Sequence, residues 1–242
     1  MPTTLETKNE CVLHATRDEM IAALCLQVTQ ALSSALRERG RANLAVSGGS
    51  TPKPLYQALS GVDLDWEAIS VVLVDERWVD PGQAGSNEDF VRNHLLQDKA
   101  ANASFYGLKN AALSPASGLH DQIASLPDDL FPLDVTILGM GNDGHTASWF
   151  PDAEGLQSAL AEDAAPLAAI RARASDITGA HTDRMTLSLP PLRSSRLSLL
   201  MLTGEEKRKT LELALADGPV SAMPVRALLR AAETNLHIHW SP

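Results

Sequence analysis

A carboxylate and an imidazole stand two residues apart in the glycine-rich stretch Gly139-Met140-Gly141-Asn142-Asp143-Gly144-His145. Histidine is the side chain whose ordinary pKa, about 6.5, lets it serve as a base near neutral pH. The glycines of this stretch allow positive φ and a close approach of backbone to a ligand. The same residues also suit a connector in which Asp143 and His145 satisfy local backbone groups. A second stretch, Ser47-Gly48-Gly49-Ser50-Thr51-Pro52, offers backbone N–H groups and hydroxyls in place of titratable side chains. At a helix start, such groups converge on an oxyanion, phosphate above all. The spacer and Gly-Lys-Ser/Thr ending of a nucleotide P-loop are missing, so a sugar phosphate is expected before a nucleotide. The competing reading is a plain turn capped by Ser50 or Thr51.

Three cations stand out by position. Arg77 belongs to a charged cluster, Asp75-Glu76-Arg77, that follows an apolar run abruptly, and Arg184 begins another apolar run. Lys207 falls near the start of a helical pattern, where the helix dipole disfavours a cation; it reads either as a ligand for an anion or as a solvated surface lysine. His237 and His239 share one face of a strand by the two-residue period, a possible metal pair with no third ligand in evidence. Cys11 and Cys25 have no partner at metal-ligand spacing and are expected to be inert reduced thiols.

Strands are expected to deliver these groups. Runs of apolar, often β-branched residues at 43–46, 70–74, 133–138 and 197–202 read as buried strands, and each ends where a glycine or charged cluster begins. Weaker strands are expected at 10–14, 165–171 and 236–240, and an alternating one at 184–189. Between them, helical spacing predicts helices from Asp18 to Gly40 (with Ile21, Leu24, Val28 and Leu32 inward), 53–59, 87–96 (with Phe90, Leu95 and Leu96 inward), 116–126, 203–216 and 225–231. Alternating strands and helices with short connections imply an α/β fold with a mostly parallel sheet flanked by helices on both faces. No composition shift or repeat marks a boundary, so residues 1–242 are expected to form a single domain.

With 44% hydrophobic and 21% charged residues, the chain has the composition of an ordinary soluble globular protein. No uninterrupted apolar run approaches the roughly 20 residues that cross a bilayer. Glu6, Lys8, Glu10, Arg17, Asp18 and Glu19 interrupt any leader-like segment, which gives a cytoplasmic expectation. A formal net charge of −10 argues against nucleic acid or an anionic membrane as partner. It also means that an anionic substrate must be met by cations and N–H groups gathered locally.

Taken in order, Ser47 to Pro52, Asp75-Glu76-Arg77 with Ser86-Asn87, Gly139 to Ser148 with Phe150-Pro151, Arg184 to Leu187, and Gly204 to Lys207 resemble the motifs of 6-phosphogluconolactonases. The related glucosamine-6-phosphate deaminases share the glycine loop, the Gly-Asp-Gly-His core and the later Arg and Lys. They carry an Ala-Phe-Asn-Glu-Pro type sequence after the histidine, whereas Thr146-Ala147-Ser148-Trp149-Phe150-Pro151 stands here. The chain departs from many lactonases at 178–183, where a Pro-Lys-Pro-Pro run is replaced, and at Trp149, usually leucine.

The resemblance implies a Rossmann-like fold of the sugar-phosphate isomerase and deaminase type. It implies hydrolysis of 6-phospho-D-glucono-1,5-lactone to 6-phosphogluconate in the oxidative pentose phosphate pathway, with neither cofactor nor metal. His145 would be the general base, and Asp143 would either orient its ring or position sugar hydroxyls. Gly48, Gly49, Ser50, Thr51, Arg184 and Lys207 would hold the phosphate. Arg77 would meet the lactone oxygen or the phosphate, or pair structurally with Asp75 or Glu76. The expected partner is a small sugar-phosphate lactone. Oligomeric state is open, a monomer being compatible with the sequence. The alternatives are a deaminase-isomerase of amino sugar phosphates and a sugar-phosphate-binding protein.

Overall fold

The computed structural model describes residues 9–242, so Glu6 and Lys8 lie outside the described residues. The first elements are strand β1 (Glu10–Leu13) and the 23-residue helix α1 (Arg17–Arg39). Thr16 caps α1 by accepting a hydrogen bond from the Glu19 N–H, and Gly40, at φ 71, ends it in the left-handed conformation that glycine adopts without a Cβ clash. Met20, Leu24, Val28, Leu32 and Ala35 form its buried stripe, with Met20 in the place expected for the half-buried Ile21. Burial of each of the larger side chains contributes about 1.5–3 kcal/mol. By length and composition α1 would also pass for a membrane-crossing helix, contrary to the sequence expectation, but its stripe belongs to the protein core.

The chain continues through β2 (Ala42–Val46), α2 (Lys53–Ser60), β3 (Ile69–Leu73), β4 (Asp75–Arg77), α3 (Asn87–His94) and β5 (Ser104–Tyr106). It then forms α4 (Pro115–Ala124), β6 (Val135–Leu138), α5 (Leu156–Ala159), β7 (Leu167–Arg171), β8 (Asp183–Leu187) and α6 (Leu189–Arg193). The last elements are β9 (Ser198–Thr203), α7 (Glu205–Leu215), α8 (Arg226–Arg230) and β10 (Leu236–Ser241). Val91 in α3 and Leu95, which caps its C-terminus, are fully buried, while Phe90 and Leu96 pack at the margin.

Seven strands make one parallel sheet in the order β1-β10-β9-β6-β2-β3-β5. Every residue of β2 and of β6 is buried, as strands covered on both faces must be. Because the strands run in one direction, the segments after β2, β6 and β9 emerge at the same edge, where ligands of open α/β sheets bind.

The runs at 167–171 and 183–187 do not join that sheet, as the expectation of one sheet would have had it. They form a second, antiparallel sheet in the order β4-β8-β7. The connection at 172–182 contains no helix, and strands joined without a crossover become antiparallel neighbours. Val74 alone separates β3 from β4. Its N–H donates to the Val46 carbonyl of the large sheet (2.9 Å), and its carbonyl accepts from the Leu187 N–H of the small one (2.8 Å). The cluster Asp75-Glu76-Arg77 is therefore a strand rather than a strand end, and it is pinned against the edge where the loops emerge.

Candidate active site

The loop after β6 brings its two titratable side chains into contact. His145 Nδ1 lies 2.6 Å from Asp143 Oδ1, and the same oxygen accepts the His145 backbone N–H at 3.1 Å. With Nδ1–H donated to the carboxylate, the lone pair is on Nε2, for which the described residues offer no hydrogen-bond partner. Burial pushes the Asp143 carboxyl up, but hydrogen bonding and the charge of His145 outweigh it, so the carboxyl sits below its ordinary 3.8. Gly141 leaves room for this pair: a Cβ there would fall 2.1 Å from His145 Nδ1 and 2.5 Å from Asp143 Oδ1. Gly144 is glycine for another reason, its φ of 77. The Thr146 hydroxyl donates to the Gly139 carbonyl at 2.8 Å and closes the loop. The Phe150 ring lies 4.2 Å, centroid to centroid, from the imidazole and restricts its plane.

The loop after β2 works through its main chain. Gly49 has φ 102, and Gly48 sits so close to the Asn87 side chain that a Cβ would fall 2.0 Å from Asn87 Oδ1. The Ser47 carbonyl accepts from the buried Tyr56 hydroxyl at 2.7 Å, which ties the loop to α2. On the outside, Arg17 Nη2 donates to the carbonyls of Ser50 (3.1 Å) and Thr51 (3.3 Å). In a trans peptide the N–H points opposite to the carbonyl. The Thr51 N–H is therefore turned away from Arg17.

The small sheet contributes the arginines. Arg77 and Arg184 are opposite each other in the β4–β8 register, so their side chains leave the same face. Arg184 is 4% exposed and donates from Nε to the His181 carbonyl (2.7 Å) and from Nη2 to the Thr178 carbonyl (2.9 Å). These bonds fix the turn at 175–183, which the Thr178 hydroxyl closes by donating to the Arg173 carbonyl at 2.8 Å. Burial lowers Arg184 to about 10, with Asp75 raising it and the facing Arg77 lowering it, so it remains a cation at neutral pH. Its guanidinium stands over Phe150, 5.4 Å from the ring centroid. Arg77 donates from Nη1 to the Gly85 carbonyl at 2.6 Å, and its buried Nε has no partner among the described residues. Lys207 lies in the first turn of α7; burial lowers it, while Asp143 and Glu206 pull it back up.

These segments enclose a cavity of about 390 Å³, within the range of small-molecule sites. Gly48, Gly49, Ser50, Thr51, Arg77, His145, Arg184 and Lys207 all line it. Asp143 does not line the cavity and stands behind His145, which favours a role on the imidazole over one on the sugar. Three basic side chains against one lining carboxylate, Asp75, give a locally positive site in a chain of net charge −10.

Asp75, Asn87 and Phe150 stand out in the sequence only as parts of motifs. Asp75 accepts from the Ser148 hydroxyl at 2.6 Å and so joins the small sheet to the histidine loop. Arg17, 33 residues from the carbonyl it holds, gave no sequence signal. The His237–His239 pair is used otherwise: His239 Nδ1 is 3.0 Å from His14 Nε2, and His237 Nδ1 is 3.0 Å from Gln27. Burial, together with His14 and His237, lowers His239 to about 4. Among the described residues no group of three or more His, Cys, Asp or Glu could hold a metal ion. Cys11 and Cys25 are half-buried free thiols, and burial raises the pKa of both.

Comparison with known proteins gives concordant matches. The sequence model of the glucosamine-6-phosphate isomerases/6-phosphogluconolactonase family matches residues 15–240. A 6-phosphogluconolactonase of Rhizobium meliloti is 42% identical over 226 residues, covering 91% of this chain and 93% of the relative. One from Pseudomonas aeruginosa is 44% identical over 227 residues, covering 93% and 91%. The crystal structure of a 6-phosphogluconolactonase from Shewanella baltica superposes with a TM-score of 0.91 at 40% identity, covering 97% of this chain and 98% of that one.

Proposed function

The chain belongs to the glucosamine-6-phosphate isomerase/6-phosphogluconolactonase family, and from that premise we propose that it hydrolyses 6-phospho-D-glucono-1,5-lactone to 6-phospho-D-gluconate in the oxidative pentose phosphate pathway. The observation that carries the proposal is the Asp143–His145 pair opening onto a cavity that also holds Arg77, Arg184 and Lys207. One side of the site supplies a base and the other a seat for a phosphate dianion.

A lactone carbonyl is already electrophilic, so the reaction needs a water, a base and donors for the developing oxyanion. His145 Nε2 takes a proton from the water as its oxygen bonds to C1, and Asp143 steadies the resulting imidazolium through Nδ1–H. Arg77, whose side chain lines the cavity, is the donor assigned to the oxyanion. When the tetrahedral intermediate collapses, the bond from C1 to the ring oxygen breaks. That oxygen takes the proton from the imidazolium and becomes the C5 hydroxyl, while C1 becomes the carboxyl group.

Ser50, Thr51, Arg184 and Lys207 are assigned to the phosphate, with the Thr51 N–H turned inward by the hold of Arg17 on the outer carbonyls. Glycines 48 and 49 shape that loop. A neutral sugar lactone would leave the cations unpaired, and sites built to pair a substrate group reject analogues that lack it. Discrimination against unphosphorylated lactones therefore rests mainly on the phosphate.

The test is direct. Lactone made freshly from glucose 6-phosphate should decay, with release of acid, much faster with the protein than by its spontaneous hydrolysis. No acceleration would overturn the proposal, and ammonia release from glucosamine 6-phosphate would point to the deaminase branch instead.

A further inference from the structure

Asn87 opens α3, is 3% exposed, and lines the cavity between Asp75 and Gly48. Its donors are all engaged. The backbone N–H donates to Glu76 Oε1 at 2.8 Å, and Nδ2 donates to the Asp75 carbonyl at 2.8 Å and toward Asp75 Oδ1 at 3.4 Å. Both partners of Nδ2 are acceptors, so flipping the amide would set oxygen against oxygen. The orientation is therefore fixed, and Oδ1 is the end left over. It has no hydrogen-bond partner among the described residues, and it points past Gly48, where a Cβ would fall 2.0 Å away.

A side-chain carbonyl held in this way accepts a hydrogen bond and can give none. The lactone substrate proposed above presents acceptors at its phosphate, its carbonyl and its ring oxygen. Its only donors are the hydroxyls on C2, C3 and C4. We infer that Asn87 Oδ1 is a specificity-determining acceptor that receives one of these ring hydroxyls, and that Gly48 is glycine to give the amide room to do so. The assignment separates two tasks within one wall of the cavity: Ser50 and Thr51 meet the phosphate, while Asn87, beside the anionic Asp75, meets an uncharged part of the sugar.

The inference rests on the lactonase reading, and the experiment keeps the two apart. Wild-type protein is assayed with the parent lactone and with its 2-deoxy, 3-deoxy and 4-deoxy forms, and the same four substrates are given to Asn87→Ala. With wild type, the deoxy lactone lacking the bonded hydroxyl should lose about tenfold in kcat/KM, the size expected of a single hydrogen bond to a neutral acceptor. Asn87→Ala should lose about as much with the parent lactone and nothing further with that one deoxy form, since each change removes the same bond. If the losses multiply for all three deoxy forms, Asn87 acts only on the structure of the loop and the inference falls. If wild type handles every deoxy lactone as well as the parent, the inference falls without recourse to any variant. Failure of wild type to accelerate decay of the parent lactone would instead remove the lactonase reading, and this inference with it.

Discussion

The loops after β2 and β6 leave neighbouring parallel strands and use the same device for opposite ends. In each, one glycine supplies a left-handed backbone, Gly49 at φ 102 and Gly144 at φ 77, and another supplies empty space, Gly48 and Gly141. The space at Gly141 is filled by the loop's own Asp143 and His145, so this loop acts through its side chains. The space at Gly48 is filled by Asn87, a residue from elsewhere in the chain, and the loop itself offers N–H groups and hydroxyls. A glycine-rich loop is thus no indicator of one chemistry; what occupies the room beside the glycine decides whether the loop presents titratable side chains or main-chain donors.

The contrast can be broken by mutation. His145→Ala should lower kcat by about 10²- to 10⁴-fold, the range for loss of a general base, in a stopped assay corrected for spontaneous hydrolysis; near-normal turnover would take the reacting role away from the β6 loop. The glycine pair is the closest comparison. Gly141→Ala displaces the base and should cost about 10²-fold in kcat, whereas Gly48→Ala should leave kcat nearer to wild type and lower kcat/KM by about tenfold. Equal effects of the two on kcat would erase the distinction between the loops. Arg184→Ala should raise KM by about 30-fold or more, as expected when a buried charged partner is truncated, and an unchanged KM would remove Arg184 from the phosphate site.

The smallest effect concerns pH. The Asp143 carboxyl titrates below its ordinary 3.8 in the fold, so its contribution to stability is present above that value and is lost as pH falls through the folded value. Thermal unfolding should therefore show wild type above Asp143→Asn at neutral pH, with the gap closing in acid. A gap that persists unchanged in strong acid would mean that the carboxylate charge contributes nothing.

Much of the site was legible because its parts are local. Asp143 and His145 are two residues apart, and each glycine stretch directly follows a run that reads as a strand. The parallel sheet followed from the alternation of strand and helix patterns. What escaped the sequence is non-local. That Arg77 stands opposite Arg184 depends on an antiparallel register between segments more than a hundred residues apart in sequence. The reason for Gly48 lies at Asn87, and the support of Ser50 and Thr51 lies at Arg17. A period-based reading also chose Ile21 over Met20 for the face of α1, since both are apolar and only the packing against the sheet distinguishes them.

The facing arginines on β4 and β8 bear on more than catalysis. Two like charges facing each other across the strands repel, and negative charge bound beside either of them would offset that repulsion. A phosphate ester bound in the cavity should therefore raise the melting temperature, through a stabilisation that grows as RT ln(1 + [L]/Kd). Cleavage by proteases that attack the unfolded chain should then slow as that phosphate ester is added.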